Sequence, residues 1–137
     1  MTTTTDDTAT NSDYDEIVRV VRLYIDASND GDIDKYKQAF HEDAWIFFTD
    51  ALGICHKALL ADCFEEWAAQ TRATPIHVEG HVISVQQAGE VASVLLGFDN
   101  ATERSDSWVD IHSLLRIDGV WKIMNKTATH SSRAGGA

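Results

Sequence analysis

The segment Ala27–Phe48, ASNDGDIDKYKQAFHEDAWIFF, holds the break on which the fold turns. Asn29-Asp30-Gly31 stops whatever helix precedes it, because glycine enters the left-handed region without a Cβ penalty. Asp32 is placed to cap a second, short helix in which Ile33, Tyr36 and Phe40 share one face. The corner His41-Glu42-Asp43 then leads into Ala44-Trp45-Ile46-Phe47-Phe48, a strand by its aromatic and branched content. This one segment turns the chain from helix into sheet at the mouth of a pocket.

Upstream of the break, Ile17, Val20, Val21, Tyr24 and Ile25 recur at three- and four-residue spacing, which predicts a helix from about Asp13 to Ser28. Residues 1–12, polar, Thr-rich and acidic, are expected to form a disordered lead-in, and residues 131–137 a flexible tail. Downstream, Leu59, Leu60, Cys63, Phe64 and Trp67 make one stripe, predicting a third helix over about His56 to Arg72 that Pro75 forbids from continuing. From Ile76 the period changes to two. IHVEGHVISV, EVASVLLGF, SWVDIHSLLRI and VWKIMNKTAT read as four strands, and Asp118-Gly119 is a strong hairpin signal between the last two. The expected fold class is α+β: three N-terminal helices packed on one side of a strongly curved, mostly antiparallel sheet, as one domain over 13–130.

Composition narrows the partners. Apolar residues make up 44% of the 137, a globular proportion. The formal net charge of −11 repels phosphate backbones and anionic lipid, so neither nucleic acid nor a membrane is an expected partner. No segment approaches a membrane span and the N-terminus lacks a signal-like pattern, so a cytoplasmic location is expected. Cys55 and Cys63, placed on one helix, would stand roughly 12 Å apart, too far to bridge, and their spacing fits no zinc or redox motif.

YIDASNDGDIDKYKQAFHEDA and LLRIDGVWKIMNK resemble the opening helix pair and the closing hairpin of the nuclear transport factor 2-like superfamily. They are most similar to its SnoaL-like branch and, within that, to the group named for lumazine binding. The similarity runs from about Asp15 to His130. It implies a cone with a cavity between the concave sheet and the helices, and a homodimer formed through the outer sheet face. The superfamily holds isomerases, dehydratases and cyclases alongside plain binding and assembly domains, so the fold alone does not choose among them.

The resemblance also proposes residues. Tyr24 matches the phenol that serves as oxyanion donor in ketosteroid isomerase. Phe48 stands where that enzyme has its carboxylate base, and Ser113 where it has a second acid, so its mechanism does not transfer. Asn125 corresponds to a pocket position. Asp50, two residues beyond Phe48, is either a substitute base or a turn-capping aspartate. Asp110 and His112, two apart on a strand, form an acid–imidazole pair. They serve chemistry if they face the cavity; if Ile111, Ser113 and Leu115 face it, the pair lies on the dimer side. Trp45, Phe48, Trp67 and Phe98 are the aromatic residues expected to contact a ligand. His77 and His81 share a strand face but sit about 13 Å apart, too far to chelate one ion.

The expectation is therefore a cofactor-free and metal-free isomerase, lyase or cyclase. It would act on a small, largely apolar, cyclic molecule through Tyr24 and a base drawn from Asp50 or the Asp110–His112 pair. The alternative is a non-catalytic small-molecule binding or dimerisation domain.

Overall fold

A computed structural model describes residues 4–75, 77–100 and 107–128. The expected tail over 131–137 lies outside the described residues. Helix α1 runs over Thr4–Asp30, so it starts inside the stretch expected as a lead-in. Its stripe is the expected one: Ile17, Val20, Val21, Tyr24 and Ile25 are all buried. Gly31, at φ 64°, ends it by turning its N–H back to the Ala27 carbonyl (2.8 Å). Asp32 then caps α2 (Ile33–Ala39) by accepting from the N–H groups of Asp34 and Lys35.

Strand β1 spans Phe40–Thr49, and the helix expected from about His56 begins only at Phe64. The first part of that region is strand β2 (Cys55–Leu59), then a single 3-10 turn at Leu60–Asp62, and only then α3 (Phe64–Ala73). Asp50 is the cause. Its Oδ1 accepts from the N–H groups of Leu52 and Ile54, and its own N–H donates to the Ile54 carbonyl, closing a hairpin that pairs β2 with β1. Sheet pairing outweighs the helical spacing of Leu59, Leu60 and Cys63. Cys55 and Cys63 therefore do not share a helix; both are free thiols.

The meander β3 (Val78–Ala88), β4 (Val91–Asn100), β5 (Ser107–Ile117) and β6 (Val120–Ala128) forms as expected. Asp118 and Gly119 both take positive φ, the backbone that a two-residue hairpin with right-handed twist needs. Among the described residues the sheet has six strands in the order β2-β1-β6-β5-β4-β3, with β1 parallel to β6 and all other pairs antiparallel. Among the described residues, no helix is long and apolar enough to cross a membrane.

The helices cover one sheet face, and a buried polar clamp holds α1 there. The indole N–H of Trp121 and an Arg116 guanidinium N–H donate to Asp13 Oδ1 (3.1 and 2.8 Å), while Gln87 donates to Oδ2 (2.9 Å). Burial opposes ionisation of Asp13, but these bonds from Gln87, Trp121 and Arg116 outweigh it and hold the carboxyl below its usual value.

One irregularity decides which side chains reach the interior. Ser113 of β5 pairs with Asn125, yet Leu114 pairs with Ile123, so Met124 is an extra residue on β6. Such a bulge reverses the alternation. Trp121 and Ile123 point inward before it; Lys126 and Ala128 point inward after it.

Candidate active site

The inner rows of the sheet can be read from its register. Leu96, Asp110 and Ala128 lie across one rung; Val94, His112 and Lys126 lie across the next; Ile46 and Phe48 extend both rungs onto β1. Above them, the helices leave a cavity of about 520 Å³. Tyr24 of α1, Trp67 of α3, Phe48, Phe98, Trp108 and Lys126 contribute to its walls. That volume falls within the roughly 300–1,000 Å³ of small-molecule sites.

Asp110 and His112 are both fully buried, while Ile111 is 46% exposed and Ser113 faces out with it. The outward placement considered for the acid–imidazole pair is thus corrected. Trp108, Asp110, His112 and Leu114 share the interior side because each pairs with an inward residue of β4: Phe98, Leu96, Val94 and Ala92. His112 Nε2 lies 3.4 Å from Asp110 Oδ2, and Lys126 Nζ lies 3.7 Å from the same oxygen. Among the described residues, Asp110 Oδ1 and His112 Nδ1 are buried without a hydrogen-bond partner. Two unsatisfied polar atoms beside three buried ionisable groups are costly for folding alone, and such groups collect at functional sites.

Tyr24 packs its ring 5.3 Å from the His112 ring. Burial, reinforced by the nearby Asp110 carboxylate, pushes its phenol well above the usual range, so it stays a neutral donor. Burial lowers the pKa of His112, and the bond to Asp110 only partly opposes this. We expect a His112 imidazole midpoint below 6.5 by proton NMR. Because the unfolded chain then binds the extra proton, stability should be full above about pH 6.5 and fall on acidification towards the folded midpoint. A midpoint above 6.5 would show that the ring is not desolvated.

The other sequence candidates divide. Phe48, Trp67 and Phe98 join Tyr24 at the cavity. Trp45 does not: it pairs with Asn125 on the outer face, under the Lys57 ammonium (5.3 Å). Asn125 donates to the Trp45 carbonyl and accepts from the Thr127 hydroxyl, so its expected inward placement is corrected by the bulge. Ser113 is its outward partner. Asp50 lies beyond the last β1 residue, so strand alternation does not carry it inward; its Oδ2 meets His56 Nε2 at 2.8 Å. That bond, with those from Ile54 and Leu52, holds its carboxyl below the ordinary value, a turn-capping arrangement rather than a base facing the cavity.

Lys126 is the interior residue that sequence reasoning missed. Plain alternation from Trp121 through Ile123 sends it outward, and nothing in Ile123-Met124-Asn125-Lys126 announces the bulge. Among the described residues, no three histidine, cysteine or acidic side chains come together to hold a metal.

Known proteins agree on the fold. NTF2-like proteins of unknown function from Silicibacter pomeroyi DSS-3 and Shewanella baltica OS155 superpose with TM-scores of 0.73 and 0.70 at 19% and 20% identity. The first match covers 87% of this chain and 96% of the other; the second covers 85% and 92%. An NTF2-like protein of unknown function from Methylobacillus flagellatus KT is 26% identical, with a TM-score of 0.70 over 88% of this chain and 94% of its own. No curated protein matches the sequence. The model of one family, described as "Putative lumazine-binding", matches residues 12–128, and the chain belongs to that family within the NTF2-like superfamily.

Proposed function

We propose that the protein is a cofactor-free acid–base enzyme of the isomerase, lyase or cyclase type, acting on a small, largely apolar ring compound in the cone cavity. The observation that carries this reading is the buried Asp110–His112 pair, in which Asp110 Oδ1 and His112 Nδ1 have no hydrogen-bond partner among the described residues. With the imidazole proton assigned to Nε2 and directed at Asp110, neutral His112 offers Nδ1 as the base. Asp110 fixes that tautomer, as acids beside catalytic imidazoles do. The separation of 3.4 Å is loose, and bonds of this kind tighten when substrate fills the site. Tyr24 and Lys126 flank His112, one by ring contact and one across the strand pair, and supply donors to the oxygen that gains charge as the proton leaves.

The test needs no known substrate. In heavy water, a panel of cyclic ketones such as 2-tetralone should exchange protons beside the carbonyl faster with protein than with buffer, read by proton NMR. Binding without exchange across the panel would favour a second reading, a non-catalytic small-molecule binding domain. Two observations support that alternative: Asp110 and His112 lie beneath the cavity surface, and the family description points to a planar bicyclic ligand.

The reading includes a homodimer. Ile83, Val91 and Ile111 are 49%, 46% and 46% exposed on the face away from the helices, an apolar surface that a second copy would cover. Sedimentation as a monomer at micromolar concentration removes this part.

A further inference from the structure

We propose that Lys126 selects the ligand by charge, so that the cavity takes a planar ring compound bearing an acidic oxygen, held as its carboxylate or enolate anion. The proposal rests on the cavity reading above and deepens it.

Lys126 is the one charged side chain among the described residues lining the cavity. The other lining residues named above are aromatic, and Ser28, Thr49, Gln70 and Thr71 add only neutral polar groups. The ammonium has three N–H donors. It makes no hydrogen bond among the described residues, since Asp110 Oδ2 at 3.7 Å is beyond that range. The ammonium also stands near two π-faces, the Trp67 ring at 5.3 Å and the Tyr24 ring at 5.7 Å. These attract the cation without accepting a conventional bond. The residue is only 7% exposed, so its donors have little bulk water to turn to.

Such a group calls for an anionic acceptor inside the cavity. Asp110 cannot be the whole answer, because its carboxylate is fully buried and already approached by His112. A ligand carboxylate or enolate oxygen would supply the missing charge-assisted bond while its ring lies against Trp67 and Tyr24. The preference must be local, because the net charge of −11 repels anions at long range.

Matched probes isolate the charge: 2-naphthoate and 2-naphthamide share ring and shape. By titration calorimetry at neutral pH, the carboxylate should bind the wild-type protein about tenfold or more tightly than the amide, as one charge-assisted bond implies. Lys126→Met and Lys126→Gln should lose the preference, and Lys126→Arg should keep it. The wild-type comparison stands even if a neutral variant fails to fold. Equal binding of the two probes overturns the charge proposal and leaves the cavity reading intact. Failure of both to bind overturns the two together. A preference that survives in folded Lys126→Met or Lys126→Gln assigns the selectivity elsewhere and overturns this proposal.

Discussion

Asp110→Ala should cost about 3–5 kcal/mol of unfolding free energy, a large share of the stability of a single domain. The carboxylate is the only acid within 4 Å of Lys126 Nζ among the described residues, and the partner of His112 Nε2. Deleting it leaves an ammonium 7% exposed with no counter-charge and removes the partner of a buried imidazole. Asp110→Asn keeps the shape and should cost less, because the amide still accepts from its neighbours. The companion experiment replaces the whole cluster: Asp110→Leu, His112→Phe and Lys126→Met together should lose far less than Asp110→Ala alone. Apolar residues of similar volume commonly match or exceed a buried ion pair in stability. Urea denaturation measures all three. A loss below about 1 kcal/mol for Asp110→Ala would mean that the site is open to water rather than closed as described.

That contrast also explains what the sequence made visible. Elements set by local chemistry could be read directly. The stripe from Ile17 to Ile25, the Gly31 stop, the Asp32 cap and the Asp118-Gly119 turn act through residues a few positions apart. Elements set by pairing with distant strands could not. Leu59, Leu60 and Cys63 keep a helical spacing, yet β1 recruits Cys55–Leu59 as an edge strand because the Asp50 turn brings it alongside. The site suffered most from a single residue. Met124 bulges, and everything after it on β6 changes side, so Asn125 leaves the interior and Lys126 enters it. Tyr24 was legible as a buried polar ring on a helix stripe. Asp110 and His112 were legible as a pair but not as an inward pair, since strand alternation names two faces without saying which one the helices cover.

His112→Gln should reduce proton exchange into a responsive ring ketone by about 100- to 10,000-fold, the usual worth of a positioned acid–base group, with the circular dichroism spectrum unchanged. Glutamine fills much of the same space and can still donate to Asp110, but it offers no basic nitrogen. Direction of pH dependence separates two roles. If His112 removes the proton, wild-type exchange is constant near neutrality and falls on acidification through the depressed imidazole midpoint, because the protonated ring has no lone pair to offer. If His112 only positions Asp110, the variant is slower but keeps the wild-type pH profile, and the base must be another group. Tyr24→Phe supplies the independent check. Its phenol is held neutral by burial and the Asp110 charge, so losing it removes a donor to the charged oxygen while leaving the base untouched. The rate should then fall at every pH without a shift of the acidic limb. A His112→Gln protein that exchanges as fast as wild type overturns His112 as the base.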